Sequence, residues 1–106
     1  MTESQFLRNV ELTLGQIESA IDDARIAAEC SVSAFVLTIE FDDGARIVVN
    51  AQTPMRQLWL ASRSGGIHFG FDGTRWCDLR SGEEFFVALS RVVSEELGQN
   101  VVLRPR

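Results

Sequence analysis

Histidine occurs once in the 106 residues, cysteine twice, proline twice and tyrosine not at all. A single His leaves no pair of imidazoles for a nitrogen-rich metal centre. Cys77 beside Asp78 has no base other than His68 and no glycine-rich anion cradle to make it a nucleophile. No Glu-x-x-His pair is present, so the buried dinuclear iron site of a carboxylate oxidase is not encoded. The two cysteines, Cys30 and Cys77, follow no disulfide or zinc spacing. With no secretory signal and no apolar run near the ~18 residues of a membrane span, a cytoplasmic chain with both thiols reduced is expected. Repeats, low-complexity tracts and linker-like stretches are also missing. Residues 1–106 therefore read as one domain, long enough to bury a core without metals or disulfides. Basic residues are in the minority, ten against fifteen acidic ones, for a net charge of −5. That balance argues against nucleic acid and anionic membrane as partners and favours a cation or a basic protein surface.

What is present is strongly periodic. In SQFLRNVELTLGQIESAIDDA, residues 4–24, the side chains Phe6, Leu7, Val10, Leu14, Ile17 and Ile21 recur at helical spacing. FVLTIEF alternates, with Phe35, Leu37, Ile39 and Phe41 on one face and Val36, Thr38 and Glu40 on the other. Asp42, Asp43 and Gly44 then turn the chain into ARIVVN. Pro54 breaks the next connection, RQLWLAS and GIHFGF read as two more strands, and DGT turns into the short strand RWCD, in which Trp76 reads as packing. With an edge strand beginning at Glu29, five to six strands joined mostly by tight turns make an antiparallel meander. Ser81 and Glu84 have capping-box spacing and predict the start of a second helix, with Phe85, Phe86, Leu89, Val92, Val93 and Leu97 as its buried stripe and Gly98 at its end. The expected fold class is α+β, a two-layer sandwich whose N- and C-terminal helices pack on one face of the sheet and leave the other face wet.

Two groups of side chains stand out against that frame. If Leu58 and Leu60 point inward, alternation puts Gln57 and Trp59 on the wet face, and Ile67 and Phe69 inward puts His68 there as well. An exposed indole among the amides Asn50, Gln52 and Gln57 reads as a recognition surface. His68 reads there as an interface donor, a transient metal ligand or a plain surface residue. On the first helix, an advance of roughly 100° per residue places Glu11, Glu18 and Asp22 in one narrow stripe beside the apolar arc, with Asp23 well round towards solvent. Glu18 and Asp22 lie one turn apart, and like charges so placed cost stability unless a cation joins them. Glu29 adds a fourth carboxylate if its strand pairs beside this flank. Carboxylates without His or Cys suit hard, weakly selected cations such as iron, manganese, calcium and magnesium, with water completing the shell. Spacing alone also fits a plain solvated face.

NAQTPMRQLWLAS, then SGG and HF, then DGTRW and the Ser81 box before the last helix, resemble the frataxin family and in particular its bacterial frataxin-like members. The resemblance covers nearly the whole chain, and Asn50, Gln52, Thr53, Pro54, Gln57, Trp59 and Leu60 carry it. It implies an α+β sandwich that binds ferrous or ferric iron weakly through carboxylates of the first helix and first edge strand, here Glu11, Glu18, Asp22, Asp23 and Glu29. The function it implies is a non-enzymatic, monomeric, iron-binding regulator of iron-sulfur cluster assembly. Such a protein meets the cysteine desulfurase through the acidic flank and the iron-sulfur scaffold protein through Asn50, Gln52, Gln57, Trp59 and His68. The alternative is a protein-interaction adaptor of the same fold whose metal binding is weak and incidental. This chain interposes Ala24, Arg25, Ala27 and Ala28 among Asp22, Asp23 and Glu29, a wider spacing of acids than the family shows, which implies fewer iron sites.

Overall fold

The computed structural model describes all residues, 1–106. Helix α1 spans Glu3–Ala24 and opens on a reciprocal cap, in which Gln5 N–H donates to Thr2 Oγ1 and Thr2 N–H donates to Gln5 Oε1. Six strands follow: β1 Ala28–Ser33, β2 Val36–Phe41, β3 Arg46–Gln52, β4 Gln57–Ser62, β5 Gly65–Phe71 and β6 Trp76–Asp78. Each pairs antiparallel with its sequence neighbour, so the sheet order is the chain order. A 3-10 turn at Thr53–Met55 carries Pro54, whose missing N–H would have broken a ladder, and helix α2 spans Phe85–Leu97.

Both helices cover one face of the sheet. Phe6, Val10, Leu14 and Ile17 of α1, together with Phe85, Leu89 and Val93 of α2, are buried against Leu37, Ile39, Ile47, Val49, Leu58, Leu60 and Phe69. Trp76 joins this core, and its indole N–H donates to buried Thr13 Oγ1 at 3.0 Å. The expected sandwich and meander are thus observed. No helix is long and apolar enough to cross a membrane.

Two local expectations differ from what forms. Phe35 is not the first residue of a strand; Ala34 and Phe35 make a two-residue hairpin with φ of 51° and 64°, both left-handed. The Phe35 ring still packs on the edge of the core, which explains why its apolar character reads as strand pattern. Ser81 does not cap α2. Its hydroxyl donates to Asp78 Oδ2 and accepts from Glu83 N–H, inside a turn that returns the chain to pair Cys77 with Glu84 and leaves Glu84 extended. Glu84 is the cap, taking the N–H groups of Phe86 and Val87. After Gly98, where the sequence reading stops, the tail lies against α2. Val101 and Leu103 are buried, and their backbone N–H and C=O groups each exchange hydrogen bonds with Ser94 and Ser90 of α2. The apolar spacing of Val101 and Leu103 was the available signal.

Candidate functional site

On the uncovered face, Asn50 stands opposite Trp59, Trp59 opposite His68, and Gln52 opposite Gln57. All five residues of the expected recognition surface therefore share one face, because Leu58 and Leu60, buried at 0% and 1%, take the other. The His68 carbonyl accepts from Leu79 N–H at 3.0 Å, on the β6 side of β5. Trp59 and His68 are consequently a non-hydrogen-bonded pair, the kind in which side chains stand nearest. Their rings stack with centroids 4.0 Å apart and planes within 8°. The indole N–H donates to Gln57 Oε1 at 2.8 Å. Gln57 thus satisfies the one polar atom of the indole, so the half-buried ring needs no further polar partner. On the same face Gly70 lets Leu79 lie against β5, since a Cβ there would stand 2.8 Å from Leu79 Cδ2.

The acidic residues divide among several places. Glu18 and Asp22 line a groove of about 660 Å³ between α1 and β1, shared with Gly15, Arg25 and Cys30. Burial, with the Glu18 charge adding to it, pushes the Cys30 thiol up to about 11, so Cys30 stays protonated there. Arg25 closes α1 in a left-handed conformation and has no acidic partner within ion-pair distance. Glu11 is exposed higher on the same stripe, outside the groove. Asp23 lies apart and is held by Arg106 at 3.0 Å. Glu29 does not join the flank, as a strand beside it would have allowed. Cys30 takes the helix-facing position on β1, so alternation turns Glu29 to the uncovered side, opposite Glu40.

No three His, Cys, Asp or Glu side chains converge closely enough to hold a metal ion. Glu18 and Asp22 are the two carboxylates that the groove brings together, on an open surface. Sequence reasoning missed two features, one in this groove and one outside it. Cys30 lines the groove, which the period-two pattern of an edge strand signals only once its register is known. Arg63 ties Asp43 to Glu96, clipping both long hairpins to α2, and this long-range contact leaves no local trace.

A family model described as a frataxin-like domain matches residues 1–99. The chain is 49% identical to the iron-sulfur cluster assembly protein CyaY of Janthinobacterium sp. (strain Marseille), over 98% of this chain and 97% of that protein. Identity to the iron-sulfur cluster assembly protein CyaY of Ralstonia nicotianae is 46%, over 97% of this chain and 95% of that one. Among solved structures, frataxin from Psychromonas ingrahamii superposes with a TM-score of 0.90 at 28% identity, covering 96% of this chain and 97% of that one. Trimeric frataxin from the yeast Saccharomyces cerevisiae, complexed with ferrous iron, gives a TM-score of 0.61 at 27% identity, covering 92% and 86%. The chain belongs to the frataxin family.

Proposed function

We propose that residues 1–106 act as one frataxin-like domain, a non-enzymatic regulator of iron-sulfur cluster assembly that docks on the cysteine desulfurase through the acidic flank of α1. Ferrous iron binds weakly at Glu18 and Asp22, and the Trp59 face receives the scaffold protein. The names of the relatives from Janthinobacterium and Ralstonia support the pathway, and the ferrous complex of the yeast protein supports the metal. The observation that carries the docking surface is ionic. Asp23, Glu40, Asp43, Glu83, Glu95 and Glu96 each have an arginine partner, and Asp72, Asp78 and Glu84 accept backbone N–H groups, whereas Glu11, Glu18 and Asp22 on one stripe of α1, like the scattered Glu3, Glu29 and Asp42, have neither. Glu11, Glu18 and Asp22, unpaired like charges on one flank of α1, repel each other, and a basic surface or a cation relieves that cost when it docks.

A second reading, an adaptor in which metal binding is incidental, is favoured by two observations: the carboxylates form no three-donor group, and Arg25 shares the groove with two of them. Titrating isotope-labelled protein with ferrous iron under anaerobic conditions separates the two. Amide shifts confined to Glu18, Asp22 and their groove at micromolar metal support the iron-binding regulator; shifts absent below millimolar leave the adaptor. Retention on immobilised cysteine desulfurase tests both, and no retention at low salt would remove the docking surface altogether.

A further inference from the structure

β6 is only three residues long and pairs with Phe69–Phe71, so the first half of β5 has no strand on its outer side. Which backbone groups face outward follows from alternation. The His68 carbonyl points to the β6 side, where it meets Leu79 N–H, so the N–H and C=O of Gly66 and the N–H of His68 point there as well. None of these three groups takes part in a turn, loop or side-chain hydrogen bond within the chain. They open into a groove of about 560 Å³ whose walls include Leu79 and Arg80 of the turn after β6 and Arg91 and Val92 of α2. Neither Gly65 nor Gly66 has a side chain to guard the edge.

The walls also set the sign of charge. Asp78 is the one carboxylate among the lining residues, and its two oxygens are occupied by Arg80 N–H and the Ser81 hydroxyl. Arg91 is paired with Glu83 and Glu95, whereas the exposed Arg80 guanidinium has no carboxylate within ion-pair distance. The free N–H and C=O of Gly66 and the free N–H of His68, beside an exposed guanidinium that has no direct ion-pair partner and only the more distant charge of Asp78 to balance it, complement an extended backbone that carries acid.

We propose that the outer edge of β5 at Gly65–His68 is a docking site for an extended acidic segment of a partner protein, which adds to the sheet as a short strand in line with β6 and places a carboxylate on Arg80. This site is separate from the acidic flank and meets the Trp59 surface only at His68, whose backbone it uses and not its ring, and it does not rest on the function proposed above.

Amide hydrogen exchange on the full chain tests it. In the free protein Gly66 and His68 amides exchange at least ten-fold faster than Ile67 and Phe69, which alternate towards β4. Addition of a blocked pentapeptide EVDVE at millimolar concentration protects both amides at least ten-fold, and blocked KVNVK does not. Arg80→Glu, on an exposed side chain, weakens the EVDVE effect at least ten-fold with the rest of the spectrum unchanged. Gly66→Pro, which removes an outward N–H, abolishes it, and Arg80→Glu keeps the test decisive should the proline variant not fold. Equal protection by KVNVK, EVDVE shifts that leave Gly66 and His68 unprotected, or an Arg80→Glu variant that binds as the parent does would each overturn the proposal. So would protection of both amides without peptide in a species that light scattering shows to be larger than one chain, because a second copy would then occupy the edge.

Discussion

Leu58 and Leu60 share a strand with Gln57 and Trp59, one residue apart, yet the two pairs answer to different demands. The leucines are sealed between the sheet and both helices, where every methylene has neighbours, and their identity is set by packing. Trp59 lies across an uncovered sheet, stacked on one side against His68 and bonded at its edge to Gln57. Nothing in the core requires an indole there. A large ring held in one orientation, with its polar atom already satisfied and its surface part exposed, has the properties of an anchor for another protein.

The sharpest way to break this comparison is to truncate both sides of the strand. Leu60→Ala is expected to destabilise the fold by about 2–5 kcal/mol, because it empties a closed site, and urea denaturation measures it. Trp59→Ala forfeits a ring stack and is expected to cost only about 1 kcal/mol of stability. Its effect belongs in binding, where loss of the scaffold protein by about 2 kcal/mol, roughly thirty-fold in affinity, is expected from calorimetry. Equal losses of stability in the two variants would mean that Trp59 is a packing residue and the uncovered face is not a recognition surface.

Much of the contrast was legible from the amino acids alone. Period-two alternation is rigid, so once Leu58 and Leu60 point inward, Gln57, Trp59 and His68 have only one face left to occupy. The helices were equally plain, because an apolar period of 3.6 residues sustained over several turns does not fit a strand. Capping was less legible. Ser81 and Glu84 have the spacing of a box, but whether Ser81 or Glu84 starts the helix depends on the bridge from Cys77 to Glu84, a contact between segments that no local window contains. The acidic site was legible only as a stripe on one helix. Placing Glu29 needed the register of β1 against β2, and pairing Asp23 needed the tail to reach α1 through Arg106.

The covered side extends outward to the tail, and this sharpens the comparison at its outer limit. Ser90→Ala with Ser94→Ala removes the hydroxyls that serve the backbone of Leu103 and Val101. A combined loss of about 2 kcal/mol is expected, with the Val101 and Leu103 amides exchanging first. Unaltered exchange there would show that burial of the two apolar side chains holds the tail without the hydroxyls. At the β1–β2 hairpin the expected effect is smaller and of opposite sign. Ala34 occupies a left-handed conformation that glycine adopts without strain, and Ala34→Gly is expected to stabilise by about 0.5 kcal/mol once the looser unfolded chain is counted. A lower melting temperature would mean that the Ala34 methyl makes contacts that outweigh the strain.

The smallest effect on stability is expected where charge is left uncompensated. Glu18 and Asp22 are one helical turn apart, line an open groove and have no ion-pair partner, so replacing both by Ala removes a repulsion and no packing. The double variant is expected to match or exceed the parent by a few tenths of a kcal/mol. Its functional consequence should be far larger than its effect on folding. Affinity for the cysteine desulfurase should fall, and the parent's own affinity should fall between low and high salt, since exposed charges farther apart than a Debye length of roughly 10 Å at 0.1 M are screened. The variant should show a shallower salt dependence than the parent, because fewer of its contacts are ionic. A melting temperature that collapses in the variant would make these carboxylates structural. A desulfurase affinity indifferent both to the substitution and to salt would move the docking surface elsewhere on the molecule.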